Sequence, residues 1–201
     1  ETLKACSLII AENPSHTKHL LDHFSVTNKK MVQFAEHNEA IVIEKLVTEL
    51  KNIDGCLVSD AGTPGISDPG FRLVRECIKQ NIAVVPIPGA NAATTALCAS
   101  GLPTDRYIFF GFLQKTEPKL LEALNLAQKS EATAIIYESP QRIIKSVSTI
   151  AKKFPEAQVA VARELTKLHE EFIRGNATEV LTQLMAKTSI KGEIVLLVSF
   201  K

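Results

Sequence analysis

Ser59-Asp60-Ala61-Gly62-Thr63-Pro64-Gly65-Ile66-Ser67-Asp68-Pro69-Gly70 grows out of the apolar run Gly55–Ser59 and leads directly into the helical pattern Gly70–Gln80. A strand that ends in a long loop and then a helix is the unit from which open α/β sheets are built, and ligands bind such sheets outside the carboxyl ends of their strands. Gly62, Gly65 and Gly70 permit unusual backbone angles and let a ligand approach the main chain. Asp60, at the strand end, is placed to hold a polar ligand group, and Asp68 before Pro69 to cap the helix. The stretch is neither a P-loop, since no Gly-Lys-Ser/Thr follows, nor a GxGxxG turn. Without a ligand it would be only a tight strand–helix turn.

Working outward, short unbroken apolar runs predict further strands at Cys6–Ile10, Met31–Phe34, Ala83–Ile87, Tyr107–Phe112, Thr133–Glu138, Gln158–Arg163 and Glu193–Val198. Their lack of alternation suits strands covered on both faces in a mostly parallel sheet. Helical patterns lie between them: Asn38–Lys51 with Ile41, Ile43, Leu46, Val47 and Leu50 on one stripe, and Pro140–Phe154 opened by Pro140 and stopped by Pro155. The fold class is therefore α/β. Pro86–Arg106 is Ala-rich and breaks the alternation, which restarts at Tyr107. This places a boundary near Pro103, giving an N-terminal α/β domain over 1–103 and a C-terminal one over 104–201.

Composition limits the function. Hydrophobic residues make up 45% and charged residues 22%, an ordinary globular balance. A net charge of +1 excludes a bulk polycation, so nucleic-acid binding would need a local cluster of Lys and Arg. Cys6, Cys56, Cys77 and Cys98 form no CxxC pair and read as reduced core residues of a cytoplasmic protein. No apolar run is long enough to span a membrane, and no HExxH pattern points to a metal.

Three further segments carry polar residues at strand ends. In Pro86-Ile87-Pro88-Gly89-Ala90-Asn91-Ala92-Ala93 a Gly turn opens a helix, whose first N–H groups can meet an anion or merely be capped. In Tyr137-Glu138-Ser139-Pro140-Gln141-Arg142, Tyr137 is placed to stack on an adenine and Glu138 to accept from a ribose or amino group; the alternative is a strand end with a capping Ser. The charges of Ala162-Arg163-Glu164-Leu165-Thr166-Lys167-Leu168-His169-Glu170-Glu171 read, by spacing alone, as a solvated face.

Together these segments resemble the ribosomal RNA small subunit methyltransferase I family of the tetrapyrrole methylase superfamily. Ser59–Gly70 is similar to its SDAGTPxxSDPG loop, and Pro86–Ala93 with Ser100-Gly101-Leu102-Pro103-Thr104-Asp105 to its PxPGxxA…SGLPTD region. Gly111-Phe112-Leu113, Tyr137–Arg142, Ala162–Glu171 and Lys191-Gly192-Glu193 follow in the family's order. The resemblance implies two α/β domains, with mostly parallel and mixed sheets, and S-adenosylmethionine in a cleft between them. It further implies a homodimer and methylation of the 2′-hydroxyl of a cytidine ribose in small-subunit ribosomal RNA, free or in the assembled subunit. Cofactor contacts carry over to Asp60, Ala61, Gly62, Pro64, Ile66, Gly89, Ala90, Asn91 and Tyr137. The acceptor side carries over to Glu138, Arg163, Glu164 and Lys191, with Glu138, Glu164 and Lys191 as candidate catalytic groups. Arg106, Lys115, Arg142 and Arg163 are candidate phosphate contacts. The family needs neither a metal nor a membrane.

The chain departs from the pattern in several places. The family's opening strand and Gly-Asn-Leu-x-Asp-Ile-Thr loop have no counterpart, and Glu1 falls in the helix after them. Glu12-Asn13-Pro14-Ser15-His16-Thr17 stands where the family has Glu-Asp-Thr-Arg-x-Thr; Gln114 and Lys115-Thr116 replace a Pro and an Arg-Lys pair, and Gln141 replaces a His. These departures keep two rivals open: a methyltransferase of the same fold acting on a tetrapyrrole, and a truncated, non-catalytic cofactor-binding or interaction module.

Overall fold

Four consecutive apolar residues, Leu8–Ala11, bury both their faces only if a layer covers each. In the computed structural model, which describes residues 1–201, they form strand β1 and are buried at every position. β1 is the middle of a parallel sheet in which β2 (Lys30–Gln33) and β3 (Gly55–Val58) flank it, in the order β2-β1-β3. Alternation along β1 sends Leu8 and Ile10 to a cluster with Phe34, Leu46, Val47, Leu73 and Cys77, and Ile9 and Ala11 to another with Leu21 and Val26. Helices α3 (Glu39–Leu50) and α4 (Phe71–Lys79) supply the first layer, and α2 (Pro14–His23) the second. Helix α2 starts where Asn13 Oδ1 accepts the Ser15 and His16 N–H groups and Pro14 presets φ; a short helix α1 (Thr2–Ala5) precedes β1.

Residues Glu1–Ala90 make one compact unit and Asn91–Lys201 a second. The division falls before helix α5 (Ala92–Ser100), not near Pro103. Ala93, Ala96 and Leu97 of α5 pack on Ile135, Ala160, Val195 and Leu197 of the second unit's sheet, which makes the Ala-rich helix part of that unit. The strands of the second unit are β4 (Tyr107–Phe112), β5 (Thr133–Glu138), β6 (Gln158–Arg163), β7 (Glu171–Asn176) and β8 (Ile194–Ser199), in the order β4-β5-β8-β6-β7. Only β4–β5 is parallel; β5–β8, β8–β6 and β6–β7 are antiparallel. Helices α6 (Glu117–Lys129), α7 (Ile143–Lys153) and α8 (Ala177–Met185) cover the other face, with Leu124, Ile136, Val147, Val180 and Leu196 in one cluster. The architecture is thus α/β with one parallel and one mixed sheet, and no helix is long and apolar enough to cross a membrane.

Two departures from the sequence reading have physical causes. Ala83–Ile87 forms no strand: Val84, Val85 and Ile87 are 44%, 75% and 59% exposed, and the run has no ladder partner. Its β-branched composition suits a sheet, but a strand exists only through pairing and packing. Conversely, Glu171–Asn176 is strand β7 despite its charges. It is an edge strand, on which only Ile173 is fully covered and Arg174 lies 4.2 Å from the Phe172 ring centroid.

Candidate functional site

The Ser59–Gly70 loop is built on positive φ. Gly62 (75°), Gly65 (82°) and Gly70 (146°) take it, as does Ser67 (62°). At Gly70 no other residue fits: a Cβ would stand 2.8 Å from Leu57 Cδ2 and 3.1 Å from the Gly65 nitrogen. Gly70, rather than Asp68, takes the N-cap position of α4, and its N–H donates to Glu39 Oε1 at 3.2 Å. Glu39 is buried on α3, so the far end of the loop is tied to a neighbouring helix. At the near end the Asp60 N–H donates to Glu12 Oε2 (3.0 Å), and His16 Nδ1 lies 3.6 Å from Asp60 Oδ2. Glu12, which matches the family pattern, and His16, at its variable position, therefore both face Asp60.

The second Gly turn meets the first. Thr63 Oγ1 donates to the Ala90 carbonyl at 2.8 Å, which places Gly89 and Ala90 beside Gly62 and Thr63. The N–H groups of Ala61, Gly62, Gly89 and Ala90 carry no hydrogen bond within the chain, and all four residues are exposed. Exposed N–H groups on two neighbouring turns are donors available to a carboxylate or to nucleoside hydroxyls. Pro64 is half-buried and Ile66 is 44% exposed beside them. Asn91 begins the second unit and caps α5, its Oδ1 accepting the Thr94 N–H at 3.1 Å.

In the second unit, one end of the sheet gathers most of the remaining candidates. Strands β4, β5 and β6 end there, and β7 and β8 begin there. Tyr137 is half-buried, its ring packed edge-on against Phe109 (4.9 Å) and Phe112 (5.3 Å). The Glu138 side chain is 1% exposed and its carboxylate is saturated. It accepts the Ser139 N–H (2.8 Å), Ser146 Oγ–H (2.6 Å) and Arg142 Nη2–H (3.2 Å), while Arg142 Nη1 reaches the Leu113 carbonyl at 3.3 Å. Arg142 therefore fastens the segment after β4 to the end of β5.

Across the sheet, Arg163 Nε pairs with Glu171 Oε2 (3.1 Å) and its Nη1 donates to the Lys191 carbonyl (3.0 Å). Lys187, at 2.5 Å, joins Glu171 and holds its carboxyl below the usual glutamate range, with Arg163 adding to this. Glu164 (φ 50°) and Thr166 (φ 64°) take left-handed backbone. Glu164 Oε1 accepts the Glu193 N–H and a Lys167 Nζ–H, each at 2.9 Å, and Lys167 also reaches Glu193 Oε2 at 3.1 Å. The Glu193 N–H first, and Lys167 next, lower the Glu164 carboxyl; Glu164, followed by Glu193, raises the Lys167 ammonium. Lys191 and Lys115 are exposed, and their side chains make no hydrogen bond or ion pair.

The sequence candidates thus divide. Lys115, Tyr137, Glu138, Arg142, Arg163, Glu164 and Lys191 share one sheet end. Arg106 does not: it precedes β4 at the opposite end, where it donates to the Ser130 carbonyl at 3.1 Å. Sequence reading overlooked Ser146, Glu171, Lys187 and Glu193 as partners, because only the fold brings them to the candidates. No group of His, Cys, Asp and Glu could hold a metal ion.

The chain thus carries a parallel sheet with a glycine-built loop and a mixed five-stranded sheet, and its class is a methylase one. The model of the tetrapyrrole (corrin/porphyrin) methylases matches residues 1–181, and the chain belongs to this family of S-adenosylmethionine-dependent methyltransferases. Its branch follows from curated relatives. The "Ribosomal RNA small subunit methyltransferase I" of Hydrogenobaculum sp. is 42% identical over 98% of this chain and 86% of its own. That of Halalkalibacterium halodurans is 44% identical over 98% and 68%. Among solved structures, a diphthine synthase superposes with a TM-score of 0.72 at 10% identity, covering 98% of this chain and 81% of its own. A Thermus thermophilus uroporphyrin-III C-methyltransferase complexed with S-adenyl homocysteine superposes with a TM-score of 0.57 at 10% identity, covering 99% and 88%. At such identities these two bear on the fold alone.

Proposed function

We propose that this chain transfers a methyl group from S-adenosylmethionine to the 2′-hydroxyl of a cytidine ribose in small-subunit ribosomal RNA. The carrying observation is the likeness, over 98% of the chain, to relatives named for methylating that RNA. The geometry supports the cofactor half. The unpaired N–H groups of Ala61, Gly62, Gly89 and Ala90 fit the carboxylate and hydroxyls of an amino-acid nucleoside, with Asp60, Pro64 and Ile66 lining the same turn; the family likeness alone adds Asn91 and Tyr137.

Bound S-adenosylmethionine supplies a methyl group on a cationic sulfur, already a good leaving group. The protein's part is then alignment and charge management. Glu138 and Glu164 act in this reading as positioning residues, since each carboxylate is occupied: Glu138 by Arg142 and Ser146, Glu164 by Lys167 and the Glu193 N–H. Lys191 stays available at the sheet end, suited to stabilise negative charge developing on the ribose oxygen. Lys115 and Lys191 are the phosphate contacts this arrangement favours, with Arg142 and Arg163 shaping the surface between them; Arg106 has no part. The protein works in the cytoplasm on the assembled subunit or its RNA, as a homodimer.

Two measurements test this. In calorimetric titration the chain binds S-adenosylmethionine, and Asp60→Ala weakens binding by about tenfold, the equivalent of 1.4 kcal/mol. With labelled cofactor, the protein marks small-subunit RNA at a ribose. Label on a porphyrinoid instead would establish the tetrapyrrole rival, and binding without transfer to either would establish the non-catalytic one.

A further inference from the structure

Two of the cysteines, fifty residues apart, meet across the first sheet. Cys6 follows α1 and Cys56 lies in β3, in register with Ile9 of β1. Their sulfurs are 3.0 Å apart, with the Cys56 thiol donating to Cys6 Sγ. Both are free thiols; Cys6 is buried and Cys56 half-buried. Lys29 fixes this corner, its ammonium donating to the Lys4 carbonyl at 2.6 Å and the Cys6 carbonyl at 2.7 Å. Ser7 and Leu8 both donate to the Asp54 carbonyl, so the backbones carrying the two thiols are held together independently of the sulfurs. Cys77, in α4, packs in the cluster on the other face of the sheet, and Cys98, in α5, is exposed.

We propose that Cys6 and Cys56 form a reversible disulfide under oxidising conditions, a modification site that ties the segment before β1 to β3. Sulfurs already in contact need a further approach of only about 1 Å to bond, within reach of small side-chain rotations. The chemistry is thiol–disulfide exchange with a low-molecular-weight disulfide such as oxidised glutathione. One thiol loses its proton and attacks a glutathione sulfur, releasing one glutathione thiolate. The second thiol loses its proton and displaces the other glutathione. The protein gives up two electrons and two protons, and oxidised glutathione becomes two reduced molecules.

The resting pair is slow to react. Burial first, and the contact with Cys6 next, push the Cys56 thiol up to about 12, while the Lys29 ammonium draws it down. The thiolate is the reactive species, so the rate of closure rises with pH across the neutral and alkaline range. A dithiol that stays reduced in a thiol-buffered compartment and closes under disulfide stress fits the transient disulfides of reducing compartments better than a structural bridge. β3 runs from Cys56 straight into the Ser59–Gly70 loop, so closure anchors the strand that presents that loop.

The test uses the whole folded chain, treated with oxidised glutathione and then alkylated. The expected result is two hydrogens lost and no alkyl group gained at the Cys6–Cys56 pair, a proteolytic fragment joining Cys6 to Cys56, and full reversal by dithiothreitol. A Cys77→Ser/Cys98→Ser variant should behave the same, and closure should raise Tm by several degrees. Cys6 and Cys56 both recovered alkylated, or carrying only separate glutathione adducts, would overturn the proposal. So would a bridge to Cys77 or Cys98.

Discussion

The Ser59–Gly70 loop and the Arg163–Glu171 loop both leave a sheet at the carboxyl end of a strand, and both depend on left-handed backbone, but they achieve it by different means. The first uses glycines at 62, 65 and 70, with Ser67 its one non-glycine in that region, and leaves the Ala61 and Gly62 N–H groups unpaired. The second places Glu164 and Thr166 in that conformation, at roughly 1–3 kcal/mol each, and holds them with Lys167 bridging two carboxylates. A glycine loop keeps its polar backbone available to a ligand. A charge-braced loop has spent its polar groups on itself and offers a stiff surface. The glycine loop is sensitive to steric change and the braced one to salt and pH.

The sharpest way to break the comparison is Gly70→Ala. Its φ of 146° and the 2.8 Å approach to Leu57 lead us to expect a loss of about 3 kcal/mol of stability and no detectable cofactor binding, measured by denaturation and calorimetry. Gly192→Ala is next. Its Cβ would overlap the Glu164 carboxylate at a φ of 93°, so the brace must open at a cost of about 2 kcal/mol. Methyl transfer should fall while cofactor affinity holds, which separates the two loops. Lys167→Met removes the bridge more gently. Its effect on Tm should be small at low salt and vanish at about 1 M salt, where screening extends over only about 3 Å.

The smallest effect is the pH profile of the second unit. Glu164 and Glu171 titrate below the ordinary 4.5, so their contribution is complete above that value and is lost as pH falls through their lower folded values. Lys167 titrates above the ordinary 10.5, so its contribution is complete below that value and is lost at higher pH. Urea denaturation should therefore show a plateau between these limits, and Lys167→Met should flatten the alkaline fall.

Much of this was legible in the sequence where a residue type answers a backbone demand. Glycines and prolines announce a strand–loop–helix passage in any context, and Ser59–Gly70 is built as its residues imply. Roles that depend on partners were not legible. Glu138 reads as a candidate catalytic group until Ser146 and Arg142 close over it, and Glu164 reads by spacing as a surface charge until Glu193, 29 residues on, donates its N–H. The same limit explains β7 and Ala83–Ile87. Composition reports what a segment tolerates, whereas a ladder needs a second strand.

The strand order has a consequence for biosynthesis. β8 is late in the chain yet lies between β5 and β6, so the second sheet stays in two halves, β4–β5 and β6–β7, until Ile194–Ser199 leaves the ribosome. The pairing partners nearest in sequence on β5 and β8 are Glu138 and Ile194. At ~5–20 residues per second the intervening stretch takes roughly 3–11 s to synthesise, and for that time an inner edge of β5 stands open to chaperones. The first sheet has all its strands by Val58 and carries no such delay. Until Lys191–Glu193 arrives, Arg163 lacks its carbonyl acceptor and Glu164 its N–H donor, so the nascent protein holds its glycine loop well before its braced one.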